Sequence, residues 1–209
     1  MPIRRVVAAA ASLTLVLAAA GCSDDESVFN QEAGECVESI SDLGTEISEL
    51  PEADCAQPHD GEVIGTFTHD GDDFPGQEGI GQEAFEGCAG VFADYVGVEL
   101  IASTLDLFPI SPTQQSWDEI DDRESICVAV GQNSEQLEGS VKDGGDEFEA
   151  PIAAEFADLT DSCLGGDGAA CDELYNTSPA ESVEERIGAS CGGRDLAFET
   201  VGACAGAAG

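Results

Sequence analysis

Positive charge is nearly missing from this chain. Six lysines and arginines face 44 aspartates and glutamates, and the formal net charge is −38. Clustered cations are what neutralise nucleic-acid phosphates and settle on anionic headgroups. Their scarcity excludes nucleic acid as a partner and electrostatic attachment to a membrane. Histidine is scarce too, with only His59 and His69. Neither Cys-x-x-Cys nor His-Glu-x-x-His occurs, so the common zinc patterns are absent. There is no phosphate loop and no dinucleotide fingerprint. No apolar run reaches the ~20 residues that span a bilayer as a helix.

What is present begins at the amino terminus, MPIRRVVAAAASLTLVLAAAGC. Arg4 and Arg5 make a short basic start, and an uncharged run over residues 6–20 leads to small residues. That order describes a secretory signal, residues 1–21. Ala19-Ala20-Gly21-Cys22 resembles a bacterial lipobox, with Ala19 standing where leucine is usual. In such signals the cysteine thiol takes a diacylglyceryl group and becomes the first mature residue. The alternative is an ordinary cleaved signal with an incidental cysteine. The residues around the arginine pair fit twin-arginine export poorly.

Cysteine parity favours the lipobox. Of nine cysteines, setting aside Cys22 leaves eight: Cys36, Cys55, Cys88, Cys127, Cys163, Cys171, Cys191 and Cys204. An even set in an exported chain reads as a disulfide framework. Two acyl chains hold a protein on a membrane stably where one is marginal. The expectation is therefore a lipoprotein, held at the cell membrane through lipid on Cys22 and exposed on the extracytoplasmic face. Losing Arg4 and Arg5 with the signal takes the charge from −38 to −40. That excess resists aggregation but strains the compact state by self-repulsion. The 42 % hydrophobic content and the cysteines argue for a folded chain rather than a disordered one.

Residues 22–34 are acidic and aperiodic, a tether. Folded patterns start at ECVESI, a short alternation. GEVIGTFTH reads as a strand with Val63, Gly65 and Phe67 on one face. A helix is expected over residues 81–96, with Phe85, Cys88, Phe92 and Tyr95 on one apolar stripe. TLDLFPIS reads as extended, SPTQQSWDEIDDRE as a loop or short helix, and SICVAVGQ as a buried strand carrying Cys127. KDGGDEFEAP, residues 142–151, reads as a linker. Residues 152–209 read as short helices held by Cys163, Cys171, Cys191 and Cys204, with pairing open. Ser178, Pro179 and Glu181 spell a capping box for the last of these helices. The fold class expected is α+β: a small disulfide-stapled antiparallel sheet with one main helix, then a disulfide-rich helical module.

Candidate chemistry is thin. GASCG, residues 188–192, has the spelling of a nucleophile elbow, which needs a buried strand before the serine. Ser190 follows ESVEERIGA instead, acidic and helix-like, and both histidines lie upstream in the other module. Cys191 is no freer, because eight cysteines that can all pair leave no spare thiol. His59 and His69, with Asp60, Asp70 or Asp72, are a conceivable zinc set, but their spacing suits opposite ends of a strand. HDGDDF is close to a calcium loop, yet Phe74 takes the third ligand position and the sixth lacks glycine. GGDGAACDE fails in the same way. Trp117 and Phe108 read as core rather than groove residues. Asn176-Thr177-Ser178 spells a glycosylation sequon that predicts nothing in a bacterial lipoprotein. No catalytic residue, metal site or cofactor is expected.

CAQPHDGEV (Cys55, Pro58, His59, Asp60, Glu62, Val63), the Tyr95-Val96-Gly97 after the helical cysteine and the Pro112-Thr113-x-x-x-Trp117 before the last strand carry a resemblance. Over residues 34–144 the chain resembles the septum formation-related domain of actinobacteria, whose cysteines match Cys36, Cys55, Cys88 and Cys127. The resemblance implies a link to cell division and brings no catalytic activity or ligand. Residues 35–141 are taken as that domain. Within it Cys36–Cys55 would tie neighbouring strands and Cys88–Cys127 would fix the helix on the sheet. The tail is similar to a cysteine-rich segment of actinobacterial envelope proteins at Cys163, Gly166, Asp167, Cys171, Asp172, Leu174, Tyr175, Ser178, Pro179 and the closing Cys191-Gly192-Gly193-Arg194. It lacks that segment's upstream cysteine, near Phe156, and has Cys204 in addition. The reading is a non-catalytic envelope protein that binds envelope or division proteins. The alternative is an acidic surface lipoprotein whose carboxylates bind cations or another ligand.

Overall fold

A computed structural model describes residues 31–41, 43, 47 and 50–206. The signal, Cys22 and residues 23–30 of the tether lie outside the described residues. Strands β1 (Cys36–Val37), β2 (Glu52–Ala53), β3 (Gly61–Thr68), β4 (Leu105–Ile110) and β5 (Glu124–Gly131) form one antiparallel sheet. Their order across it is β2-β1-β3-β5-β4. The ECVESI alternation yields only the two residues of β1.

Residues of β5 from Ser125 to Ala129 are all buried because both faces of the sheet are covered. The strand period of two sorts them. Cys127 and Ala129 pack under the main helix α1 (Gln77–Val96), while Ile126 and Val128 face a second cluster with Val37, Leu50 and Val63. β3 breaks its own alternation. A bulge between Val63 and Gly65 inserts Ile64, so Val63 stays on the second face while Phe67 turns to α1. The shared face expected for Val63, Gly65 and Phe67 is therefore corrected: one extra residue moves everything after it to the other side.

Helix α1 starts at Gln77, four residues ahead of the expected Gly81, and stops at Gly97, whose φ of 89° is the left-handed conformation of a helix end. Its buried line is Ile80, Ala84, Cys88, Phe92 and Val96, spaced i, i+4, and Phe85 and Tyr95 flank it half-buried. Phe67 lies on Gly87, where any Cβ would overlap its ring. The Cys88–Cys127 disulfide, unexposed at both ends, then fixes α1 to β5. Cys36–Cys55 ties β1 to the loop after β2. These are the pairs favoured from the sequence. In the chain-entropy account, separations of 39 and 19 residues stabilise by about 4 and about 3 kcal/mol.

The tail packs α3 (Ala157–Leu164), α4 (Gly168–Thr177) and α5 (Val183–Ala189) around Cys163, Leu174 and Ile187. Cys163 pairs with Cys171 and Cys191 with Cys204, so no disulfide crosses between the modules. α5 begins later than its spelling suggests. Ser182 is the N-cap and accepts from the Glu185 N–H, whereas Ser178 ends α4 by donating to the Leu174 carbonyl. Glu181 has φ 64° and cannot be helical there. Gly188 is where α4 and α5 touch, since a Cβ would lie 2.5 Å from the Tyr175 nitrogen.

Residues 142–151, expected as a linker, are packed. Phe148 joins the core beneath α1, its carbonyl accepts from the Thr104 N–H, and the Ala150 N–H donates to the Ala102 carbonyl. Ser103 and Glu149 form a β-bridge. Backbone pairing and one aromatic ring hold a segment whose composition alone signals a loop. Arg186 adds to the contact between modules by donating to the Ile101 and Ser103 carbonyls. Ile101 itself sits in the tail's apolar cluster.

Candidate interaction groove

The residues of Cys-x-x-Pro-His-Asp-x-Glu-Val build a buried polar knot. Glu62, with no exposed surface, accepts from the Tyr95 hydroxyl at 2.6 Å, the Ser140 hydroxyl at 2.8 Å and the Val141 N–H at 2.7 Å. A buried carboxylate needs such donors, since leaving it without them costs several kcal/mol. Burial, with the bond to Glu62 and its charge, pushes the Tyr95 phenol well above its ordinary value. His59 pairs backbone to backbone with Leu137, and its Nδ1 meets the Gln57 carbonyl at 2.8 Å. Asp60 accepts from the Ile40 N–H and the Gln136 amide. The motif thus joins β1, β3, α1 and residues 136–141 into one unit.

His69 lies at the other end of β3 from His59. About eight strand residues at ~3.3 Å each separate them, too far to share an ion. Asp70 and Asp72 are exposed. Among the described residues, no three His, Cys, Asp or Glu side chains gather as a metal ion requires. His69 is buried between Glu83, 3.1 Å from Nδ1, and Ser125, 2.8 Å from Nε2. That order of acid, imidazole and hydroxyl is the one acyl transfer uses. Ser125, however, has no exposed surface beneath α1, so a substrate carbonyl has no approach to its oxygen. Ser190 of GASCG is buried as well, donating to the Ile187 carbonyl and accepting from the Gly193 N–H, beside the Cys191–Cys204 bond.

Trp117 is core, 2 % exposed, on α2 (Gln114–Ile120). Its indole N–H donates to the Asp72 carbonyl and Arg123 stacks 3.8 Å above the ring. Thr113 and Ser116 cap α2 reciprocally, and Asp121 ends it in a left-handed turn. Anchored so, α2 holds Ile120 out at 59 % exposure. Phe108 is the correction to the core reading: it is 37 % exposed, because β4 edges the sheet and its outward face is only partly covered.

Phe108, Ile110 and Ile126 of the sheet and Ile120 of α2 line a groove of about 650 Å³. Among the described residues its ionisable lining is Glu119, Asp122 and Glu124, and Gln31 also lines it. The outer edge of β4 is closed to strand pairing. The Leu105 N–H donates to the Ser103 hydroxyl, the Leu107 N–H to the Asp106 carboxylate, and Pro109 has no N–H. Each of the four described cations contacts the protein itself, although Lys142 and Arg194 remain exposed. Arg123 covers Trp117, Lys142 lies over Tyr95, Arg186 meets backbone carbonyls, and Arg194 meets the Cys163 carbonyl and Cys171 sulfur. The exposed charge is left almost wholly negative.

Sequence reasoning missed both the Glu62 knot and the groove. The partners of Glu62 lie 33, 78 and 79 residues away, and the signal available was a glutamate inside an apolar strand pattern. The chain matches the family model described as Septum formation over residues 7–143, a span that includes the whole sheet, α1, the knot and the groove. No curated protein and no solved structure matches it.

Proposed function

This chain belongs to the septum formation family, and from that premise we propose a non-catalytic, lipid-anchored envelope protein that binds partners during cell division. The groove carries the reading. It gathers exposed apolar side chains on a strongly acidic molecule, and such patches on soluble domains mark interaction sites. The side chains with chemical potential are instead tied up. Ser125, His69 and Ser190 are buried and hydrogen-bonded internally, and buried His59 has its Nδ1 on the Gln57 carbonyl. All eight described cysteines are paired, with only Cys55 half-buried rather than buried. Ala19-Ala20-Gly21-Cys22 supports the anchor, and the even set of eight remaining cysteines agrees with it. The test is to follow the wild-type chain and Cys22→Ala by membrane fractionation and by imaging a tagged copy in dividing cells. Expected are retention and enrichment at the septum for the wild type, and loss of both for the variant. Normal processing and retention of Cys22→Ala removes the anchor from the reading, and uniform distribution of the wild type removes the division role.

A second reading, an acidic lipoprotein whose carboxylates bind cations or another ligand, has one observation in its favour: four described cations stand against a large excess of carboxylates, and each of the four contacts the protein itself. Calcium titration separates the two. A dedicated site binds stoichiometrically and raises the melting temperature, while a diffuse polyanion binds weakly and releases the ion in salt.

A further inference from the structure

We infer that the groove between β4 and α2 seats a short segment of a partner protein in which apolar side chains are flanked by lysine or arginine. This rests on the binding reading above and names the partner's chemistry. Phe108, Ile110 and Ile120 offer apolar surface in a concavity of about 650 Å³, the size that takes a few side chains rather than a whole domain face. Among the described residues, Glu119, Asp122 and Glu124 are its ionisable lining, and Arg123, their sequence neighbour, lies over Trp117. The charge of the groove therefore selects for cations beside the apolar contacts and repels acidic competitors. The mode of seating follows from the edge of β4. With the Leu105 and Leu107 N–H groups capped and Pro109 lacking one, the segment docks through its side chains and does not add a strand. Gln31, also in the lining, is nine residues after Cys22. A chain of that length reaches at most about 30 Å, which puts the groove of an anchored protein near the membrane surface and favours a partner held at the same membrane.

The test uses the full mature chain carrying Cys22→Ala and three labelled synthetic peptides of equal length. One has an isoleucine and phenylalanine core flanked by lysines, one keeps the lysines with a serine and glutamine core, and one keeps the apolar core with glutamates. Expected is saturable one-to-one binding of the first peptide alone at about 0.15 M salt, where charge still acts over about 8 Å. Its binding should survive at about 0.5 M, where screening shortens to roughly 4 Å and the serine and glutamine peptide should still fail. Phe108→Ser and Ile120→Ser should each weaken it about tenfold. Replacing Ile120, 59 % exposed, should leave the melting temperature unmoved, whereas replacing Phe108, 37 % exposed, should lower it modestly while the chain stays folded. Leu164→Ser, which removes an exposed apolar side chain from the tail module, should bind as the parent does. Equal binding of the serine and glutamine peptide, or unchanged binding by both groove variants, overturns the proposal in favour of simple polyanion attraction. Tight binding of the glutamate peptide overturns the charge selection. Binding in solution is independent of anchoring and septal enrichment, so a failure of the cellular reading is distinguishable from a failure of the groove.

Discussion

The Tyr95 hydroxyl lies 2.6 Å from Glu62 and donates to it, joining the last turn of α1 to the start of β3 across 33 residues of sequence. Two further donors complete the carboxylate's shell, one of them the backbone of Val141. The bond therefore closes the sheet, the helix and the segment after β5 around one buried charge.

Tyr95→Phe removes one of three donors while leaving the ring, and should cost about 1.5–3 kcal/mol, the range for hydrogen bonds to charged groups. Alkaline pH tests the same bond. The folded state holds the phenol raised above the ordinary value of about 10, whereas the unfolded chain ionises there. Stability contributed by the neutral phenol is whole below that value and is lost as pH climbs above it toward the folded value. In a Tyr175→Phe background Tyr95 is the sole tyrosine, and ultraviolet titration should find it ionising well above 10. Ordinary titration there refutes the bond.

Arg186 joins the sheet module to the tail alongside the apolar contact of Ile101. Its guanidinium donates to the Ile101 carbonyl at 3.0 Å and the Ser103 carbonyl at 2.5 Å, and burial pushes its pKa below the ordinary value against the opposing charge of Asp106. Arg186→Met keeps apolar bulk and drops both bonds, for an expected loss of about 3 kcal/mol. Limited proteolysis should then cut within residues 142–151, which the parent protects by packing Phe148 and Ala150. Equal resistance of the two chains would mean that the modules hold together without Arg186.

These two clusters mark where the sequence stops being legible. Local patterning exposed α1, β5 and the three tail helices, because periodicity acts within a few residues, while the capping spelling at Ser178 placed the start of α5 four residues early. The pairing Cys36–Cys55 with Cys88–Cys127 is one of three connectivities open to four cysteines, favoured because it joins a pair of neighbouring strands and the helix stripe to the last strand. The bulge at Ile64 left no mark, since one inserted residue changes the facing of Phe67 without changing the composition of the strand. Residues 142–151 read as a linker because glycines and acids signal a loop, and only the tertiary pairing of Ser103 with Glu149 packs them. Phe108 read as core because exposure depends on its being at the sheet's edge, and strand order is not a local property.

Acid pH should single out Glu184. Burial raises its pKa, but the N–H groups of Ala153 and of Glu184 itself and the Ser182 hydroxyl outweigh that and leave it lowered. A carboxyl lowered on folding contributes stability above its unfolded value of about 4.3 and loses it as pH falls through the folded value. Protonating the other carboxylates relieves self-repulsion and works the opposite way, so the signal is a difference. Glu184→Gln should be less stable than the parent near neutral pH, and the gap in melting temperature should close as pH drops below about 4. A gap constant from neutral to acid pH would count against the folded-state carboxylate.

The edge of β4 yields the last prediction. Asp106 accepts from the Leu107 N–H at 2.8 Å, so the one edge donor not held by Ser103 or deleted by Pro109 is held by this side chain. Asp106→Ala frees that N–H beside exposed Phe108 and also removes a negative charge, creating a template on which a second copy can pair. Asp106→Asn separates the two effects: its amide oxygen still accepts the bond although the charge is gone. Sedimentation at rising protein concentration should show Asp106→Ala associating and Asp106→Asn running with the parent. Added salt should strengthen association of the alanine variant, because screening lowers the repulsion between two strongly acidic molecules. Were both variants to associate alike, charge rather than the capped N–H would be what keeps this edge single. Were neither to do so, Pro109 and Ser103 would be sufficient guards, and Pro109→Val would be expected to open the edge instead.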